Sequence, residues 1–289
     1  MPAVEESKRK ASILVEALPY VRRFRGSIFV VKYGGSFMDS PDPAIRAGVA
    51  QDLVFLNFVG IRVVVVHGGG KAVTRELESR GLKAKFVNGL RITDSNAIEV
   101  VDQILNGTVN EEVASFVASH DCDVQRIAGK QVLRCRKLEQ DPDLGFVGEI
   151  KEVETDLILE ALDAGKMPIL SSTGSDDSGQ CYNVNADTAA ARVAMALGAR
   201  RLVYLSDVPG LLRNPEDPDS LLSSLPVHQV QPLKEEGVIA QGMLPKVNSA
   251  VDALKSGVNR VHFIDGRLAH SILLEIFTDQ GIGTEIVHS

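Results

Sequence analysis

Tryptophan is absent from this sequence, and three cysteines occur, Cys122, Cys135 and Cys181. Their number is odd and their spacing matches no metal-binding motif, so neither a disulfide framework nor a zinc site is expected. A reducing, cytoplasmic setting is the simplest expectation. No apolar run approaches the roughly 18 residues of a membrane helix, and the first 30 residues are charged where a signal peptide would carry an apolar core. There is no excess of positive charge: the formal charge is −7 and the pI is near 5.5. With no aromatic stacking platform either, nucleic acid and anionic membrane are not expected as partners. Also missing are a Ser-His-Asp set, a His/Cys metal cluster, low-complexity segments and short repeats. What remains is an ordinary globular composition, 44% hydrophobic over 289 residues, enough for one large α/β domain or two closely joined lobes.

The chain is organised around Val63-Val64-Val65-Val66-His67-Gly68-Gly69-Gly70. Four β-branched residues in succession read as a strand buried on both faces of a parallel sheet. The glycines let the backbone turn sharply and bring its N–H groups close to a ligand. Lys71 to Arg80 then has helical spacing. A strand, glycine turn and helix place the turn at the carboxyl edge of an α/β sheet, where ligands bind. N–H groups heading a helix favour an anion, phosphate above all. The familiar glycine motifs do not fit: Ala72 follows Gly70-Lys71 where a Walker loop needs Ser or Thr, and Val73 stands where a dinucleotide fingerprint has its third glycine. Taken alone, the turn is also compatible with simple packing.

Ahead of the first strand, Ile13, Leu14, Ala17, Leu18 and Val21 recur at helical spacing over residues 5 to 25, with Pro19 predicting a kink or an interruption. The charges around them, Lys8, Arg9, Lys10, Arg22, Arg23 and Arg25, make an arm packing on another subunit the sharper alternative to a helix folded back on its own core. Ile28 to Val31 is a buried strand running into Lys32-Tyr33-Gly34-Gly35-Ser36. A lysine there is a compact cation suited to a phosphate oxygen. Ala44 to Val59 is helical. In Phe86 to Asp94, the planar guanidinium of Arg91 suits a carboxylate, and Thr93 is the expected N-cap of a helical pattern over 95–119 broken only at Asn106-Gly107. Short alternating strands from Val124 to Val153, turning at Asp141-Pro142-Asp143-Leu144-Gly145, read as a hairpin lid rather than core sheet.

Leu157 to Ala164 reads as a helix and Met167 to Leu170 as a buried strand. Cys181 to Thr188 opens an alanine-rich helix to Leu197, and Asn183, Asn185 and Asp187 exceed what one helix cap requires. A strand over Arg201 to Leu205 ends in Ser206-Asp207-Val208-Pro209-Gly210. Pro245 suits the first turn of a helix reaching Leu254. Lys246 then stands near a helix N-terminus, where a cation is unfavourable unless an anion sits with it. Arg260 to Ile264 is a strand, Leu268 to Phe277 a helix, and Gly281-Ile282-Gly283 turns into a last strand. The fold expected is therefore α/β, a three-layer αβα sandwich around a mainly parallel sheet. Glycine turns ending two strands, two lysines far apart and an aspartate heading a helix point to phosphoryl transfer by positioning and charge neutralisation.

These residues resemble the amino-acid kinase family, on its branch acting on N-acetyl-L-glutamate. The motifs are Val-Val-Lys-Tyr-Gly-Gly-Ser at 30–36, Val-His-Gly-Gly-Gly at 66–70, Asn-Gly-Leu-Arg at 88–91, Tyr-Asn-Val-Asn-Ala-Asp at 182–187, Leu-Ser-Asp-Val-Pro-Gly at 205–210 and Gly-Met-Leu-Pro-Lys at 242–246. The resemblance implies a kinked N-terminal helix for oligomerisation over 1–26, an acetylglutamate-binding lobe over 27–198 and an ATP-binding lobe over 199–289. It implies that Lys32 and Lys246 neutralise the transferring phosphoryl group, that Asp187 orients them, and that Gly34, Gly35, Gly68 and Gly69 donate backbone N–H bonds around it. Arg91 and Asn183 would hold acetylglutamate, and Ser206, Asp207 and Gly242 would adjoin ATP. The γ-carboxylate would attack ATP in line, with Mg²⁺ bridging the phosphates and no resident metal site. The resemblance thus implies the second step of arginine biosynthesis.

The resemblance also extends to the arginine-sensitive hexameric subtype, a trimer of dimers. Tyr20, His262, Glu275 and Gly281 would form an L-arginine site, with Glu275 as guanidinium partner, and some relatives bind a PII-type signalling protein. The sequence departs from the family pattern at Ser172-Thr173, at Gln241 and at Lys71. Two other functions stay open at this point: a same-fold kinase of another acid, such as N-acetyl-aminoadipate, and a non-catalytic nucleotide or arginine sensor.

Overall fold

The structure, a computed structural model, describes residues 2–34, 43–239 and 241–288. In chain order its elements are α1 (Pro2–Phe24), β1 (Ile28–Tyr33), α2 (Pro43–Phe58), β2 (Arg62–His67), α3 (Gly70–Ser79), β3 (Phe86–Val87), β4 (Leu90–Arg91) and α4 (Ser95–Gln103). A π-helical turn (Ile104–Val109) joins α4 to α5 (Asn110–Ala118). There follow β5 (Val124–Ile127), β6 (Leu133–Lys137), β7 (Gly148–Val153), α6 (Asp156–Asp163), β8 (Met167–Ser171), β9 (Thr173–Ser175), β10 (Cys181–Asn183) and α7 (Ala186–Ala196). The chain ends in β11 (Arg201–Ser206), β12 (Ser224–Pro226), α8 (Val230–Glu235), α9 (Leu244–Lys255), β13 (Arg260–Asp265), α10 (Ser271–Ile276) and β14 (Thr284–Val287).

The main sheet has the order β12-β14-β13-β11-β1-β2-β8-β5. Its pairs are parallel except β13 with β14. Successive side chains leave a strand on opposite faces. Val30, Val64 and Val66 therefore join one core with residues of α7 and α9, and Val31, Val63 and Val65 join the other with residues of α2, α4 and α5. The valine run of β2 is wholly buried for this reason. This is the expected αβα sandwich. β1, β2 and β11 lie side by side with Lys32 opposite Val66 and Tyr204, so the carboxyl ends of these strands share one edge.

Several local expectations are corrected. α1 runs through Pro19 without interruption. Only its end packs on the chain's own core, through Tyr20 and Phe24, whereas Leu14 and Val15 are each 69% exposed, and Ile13 and Leu18 more than half. The Asn106-Gly107 break is a widened π-helical turn that keeps α4 and α5 in line of sequence. Asp94, not Thr93, caps α4, accepting from the N–H groups of Asn96 and Ala97. Val124 to Ile127 is not part of a lid but the edge strand of the main sheet, and the hairpin β6–β7 belongs to a second sheet of order β10-β9-β6-β7. α10 is shorter than the pattern over Leu268 to Phe277.

Candidate active site

Lys32 near the end of β1, Asp187 in the first turn of α7 and Lys246 in the first turn of α9 come together at the carboxyl edge of the sheet. Lys32 Nζ stands 3.0 Å from Asp187 Oδ1 and Lys246 Nζ 2.5 Å from Oδ2. Burial pushes the Asp187 carboxyl upward, but the two ammonium groups outweigh it and hold the carboxyl below its ordinary value. Gly34 makes room for this arrangement, since a Cβ there would lie 2.7 Å from Lys32 Nζ. Asn185 caps α7 by accepting from the N–H groups of Asp187 and Thr188. Capping is thus done by Asn185, which leaves the Asp187 side chain for the lysines.

The glycine turn borders a cavity of about 150 Å³ lined by Gly68, Gly69, Gly70, Arg91, Ser172 and Asn183, among others. Arg91 is buried, with its guanidinium 4.6 Å from the centre of the Phe86 ring. Its Nη2 donates to the Gly70 carbonyl and the Thr74 hydroxyl, both at 2.7 Å. Its Nη1 has no partner among the described residues. Burial alone pulls the guanidinium below its usual value, and a buried cation with an unused donor is suited to an incoming carboxylate. Asn183 donates to the Thr93 hydroxyl at 3.1 Å. Gly69 packs closely on the wall behind it: a Cβ would meet Leu105 at 2.7 Å and Val109 at 3.1 Å, so these buried side chains would have to shift. The Gly68 N–H donates to the Tyr33 carbonyl at 3.1 Å, so of the expected phosphate donors this one is already engaged. Ser172 lines the cavity. Thr173 turns away from it, bonding Asn106 Oδ1 at 3.0 Å and accepting from the Lys130 N–H.

Ser206 ends β11, buried, and shares hydrogen bonds with the Val208 backbone. Asp207 is exposed beside it, and Gly242 is exposed in the turn before α9. Gly35 lies outside the described residues, as does the side chain of Gln241. No group of three His, Cys, Asp or Glu able to hold a metal occurs among the described residues. Asp187 is committed to two lysines.

A second cavity, of about 570 Å³, brings Tyr20, His262, Glu275 and Gly281 together at the far end of β13. His262 Nδ1 lies 2.8 Å from Glu275 Oε1, and Oε2 accepts from the N–H groups of Ile282 and Gly283 at 2.8 and 2.9 Å. Burial raises the Glu275 carboxyl, but His262 and these two N–H groups outweigh it and lower it overall. Tyr20 donates to Asp279. The sequence reading missed Arg201, which lines this cavity with Arg23 and Arg260. Burial and the neighbouring guanidinium groups bring Arg201 down to about 9. The signal available for it was an arginine, Arg201, opening a strand that is otherwise apolar up to Leu205.

The family model described as the amino acid kinase family matches residues 27–265. The acetylglutamate kinase of Carboxydothermus hydrogenoformans is 44% identical over 97% of this chain and 99% of its own. That of Syntrophomonas wolfei is 43% identical over 99% of both. Among solved structures, N-acetylglutamate synthase from Neisseria gonorrhoeae, complexed with coenzyme A and N-acetyl-glutamate, superposes with a TM-score of 0.84 at 29% identity. It matches 96% of this chain, which spans 63% of that longer one. Carbamate kinase from Giardia lamblia bound to AMP-PNP, 16% identical with a TM-score of 0.66 over 91% of this chain and 99% of its own, shares the fold. No helix among the described residues is long and apolar enough to cross a membrane. The chain belongs to the amino acid kinase family, on its acetylglutamate kinase branch.

Proposed function

We propose that the chain transfers the γ-phosphoryl group of ATP to the γ-carboxylate of N-acetyl-L-glutamate, giving N-acetyl-L-glutamyl 5-phosphate and ADP. The observation that carries this reading is the convergence of Lys32 and Lys246 on one buried aspartate beside a glycine turn, next to a cavity into whose wall Arg91 is built. Two ammonium groups held apart by one carboxylate suit the oxygens of a phosphoryl group in transit, where positioning and charge supply the catalysis. A carboxylate oxygen of the substrate forms the new P–O bond while the bond to the β,γ-bridging oxygen breaks and ADP leaves with that electron pair. The nucleophile is ionised at neutral pH, so no general base is required. Gly69, and Gly34 on the other side of Gly68, face the phosphoryl group. Arg91 takes the α-carboxylate and Asn183 adjoins it. Ser206, Asp207 and Gly242 adjoin the nucleotide, and Mg²⁺ on the phosphates offsets their charge. The substrate lobe covers 27–198 and the nucleotide lobe 199–289, on one continuous sheet.

The second cavity is the site of feedback inhibition by L-arginine, with Glu275 as the guanidinium partner and Tyr20 and His262 in its wall. The exposed apolar stripe of α1 is the contact that builds a hexamer. ADP release from ATP and Mg²⁺ tests the primary reading, with N-acetyl-L-glutamate run beside N-acetyl-aminoadipate, glutamate, aspartate and carbamate. Turnover with acetylglutamate is the expected result. Turnover with another acid alone would overturn the substrate, and no turnover in a folded protein that binds ATP would overturn the reaction. One methylene in a pocket is worth about 1–3 kcal/mol, so acetyl-aminoadipate is the most informative competitor.

A further inference from the structure

His67 ends β2, directly before the glycine turn. It is fully buried, and nothing in the phosphoryl transfer uses it. Its hydrogen bonds leave one self-consistent assignment. Nδ1 lies 2.8 Å from the Gly68 carbonyl oxygen. A carbonyl can only accept, so Nδ1 carries the proton. Nε2 is then an acceptor, and the Asn110 side-chain amide stands 3.0 Å from it as donor. That amide gives its other proton to the Ile169 carbonyl at 2.9 Å, and its oxygen accepts from Arg126 Nε at 2.9 Å. Arg126 Nη2 in turn reaches the carbonyls of Asn106 and Gly107, in the π-helical turn. Each donor meets an acceptor, so the ring cannot flip or change tautomer without leaving buried groups unpaired.

We infer that His67 is a positioning residue for the reaction: by donating from Nδ1 to the Gly68 carbonyl, it fixes the peptide plane that carries the Gly69 N–H. In a planar trans peptide, the N–H of Gly69 lies opposite the carbonyl of Gly68. Holding that oxygen therefore aims the donor. The Gly68 N–H is held separately by Tyr33, so the residue is tied on both sides. The same π-helical turn supplies Leu105 and Val109 beneath Gly69. Asn110 follows that turn, so one segment supports the glycines with an apolar floor and a polar strut. Burial draws the ring down to about 4, and Arg126, the charged group facing it, pushes the same way, so the ring stays neutral in use. The inference rests on the phosphoryl transfer proposed above. It competes with a plain reading of His67 as a satisfied core residue.

Two measurements separate these. Nitrogen-15 NMR of the histidine rings should show His67 neutral and protonated at Nδ1 from pH 5.5 to 8. An Nε2–H ring would overturn the inference whatever the activity. Kinetics of two substitutions then test the role. In His67→Asn the side-chain amide nitrogen can occupy the place of Nδ1 and still donate to Gly68, whereas His67→Leu fills space without donating. His67→Leu should lower kcat by about 10- to 100-fold, less than the ~10²–10³ for losing a donor outright, with KM for both substrates within about twofold. His67→Asn should restore most of that loss. Unchanged kcat in His67→Leu, or an equal fall in both variants, would overturn the inference.

Should His67→Leu fail to fold, Asn110→Asp serves. A carboxylate facing Nε2 demands a proton there, so the neutral ring loses its bond to Gly68 and only the imidazolium keeps both. The kcat of Asn110→Asp should fall, relative to wild type, as pH rises from 6 to 8. A profile parallel to wild type would overturn the inference. An inactive wild-type protein would instead overturn the proposed reaction, and the tautomer measurement would still stand.

Discussion

Lys246 Nζ lies 2.5 Å from Asp187 Oδ2, although 59 residues separate the two in sequence. The contact explains how a lysine is tolerated in the first turn of α9, where the helix dipole opposes a cation. It also explains how a carboxylate survives nearly complete burial at the head of α7, with Lys32 on its other oxygen. Neither end is stable alone: a buried charge without its partner is far costlier than the pair.

Asp187→Asn should therefore lower kcat by about 10²-fold or more, because both lysines lose the group that spaces them. Removing the carboxylate as Asp187→Ala should cost about 3–5 kcal/mol of stability. Steady-state kinetics and urea denaturation read these two effects separately. The lowered carboxyl of Asp187 contributes stability above the unfolded carboxylate range, and that contribution is lost as pH falls through its folded value.

The strands and the glycine turn that borders the candidate site were legible because their signals are local. A valine run, a glycine turn and an alanine-rich helix each act within a few residues. Partnering across elements is not a local signal, and the pairing of Asp187 with both lysines was expected only through the family resemblance. Asn183, Asn185 and Asp187 stand within five residues, yet each has a different office: a bond to Thr93, a helix cap and a double ion pair. Thr93 and Asp94 are both residue types that accept from helix N–H groups, but the Thr93 hydroxyl donates to the Arg91 carbonyl and accepts from Asn183, and Asp94 is the cap. Val124 to Ile127 read as lid because a short edge strand and a hairpin strand have the same pattern, and only pairing with β8 tells them apart. The His67 network spans β2, α5 and β5, so no window of sequence contains it.

His67 binds its proton less tightly in the folded chain, at about 4, than at its ordinary value of 6.5. Between those values the unfolded chain holds a proton that the folded chain lacks. Stability therefore declines as pH falls below 6.5, by about 1.4 kcal/mol per unit and about 3 kcal/mol in all, and levels off below the folded value. Denaturation across pH 4 to 7 should show a shallower slope in His67→Asn than in wild type. Equal slopes would mean the ring is not buried in neutral form.

Arg91 offers a test of substrate placement. Its fork is committed at Nη2 and unpaired at Nη1, and the ring of Phe86 holds its plane. Lysine keeps the charge but neither the fork nor the stacking. Arg91→Lys should raise KM for N-acetyl-L-glutamate by about 10- to 100-fold, the worth of a charged hydrogen bond of about 1.5–3 kcal/mol, and leave KM for ATP nearly unchanged. An equal rise in both would place Arg91 outside the substrate pocket.

The last prediction concerns α1, because one helix carries both an unsatisfied surface and a wall of the second cavity. Leu14 and Leu18 stand one helical turn apart and are 69% and 53% exposed, so each leaves apolar area in water that a partner helix would cover. Covering a leucine is worth about 1.5–3 kcal/mol, and a glutamate in its place would have to be buried as a charge. Tyr20, less than one turn beyond Leu18, reaches Asp279 and packs edge-on against Phe277 with ring centres 6.2 Å apart. A partner that seats the helix would thus also set the position of Tyr20 in the wall of the second cavity. Leu14→Glu with Leu18→Glu should shift the protein to a smaller assembly in sedimentation velocity and raise the arginine concentration for half-inhibition together. Loss of the assembly with unchanged arginine response would separate the two roles, and an unchanged assembly would leave the stripe without its proposed occupant.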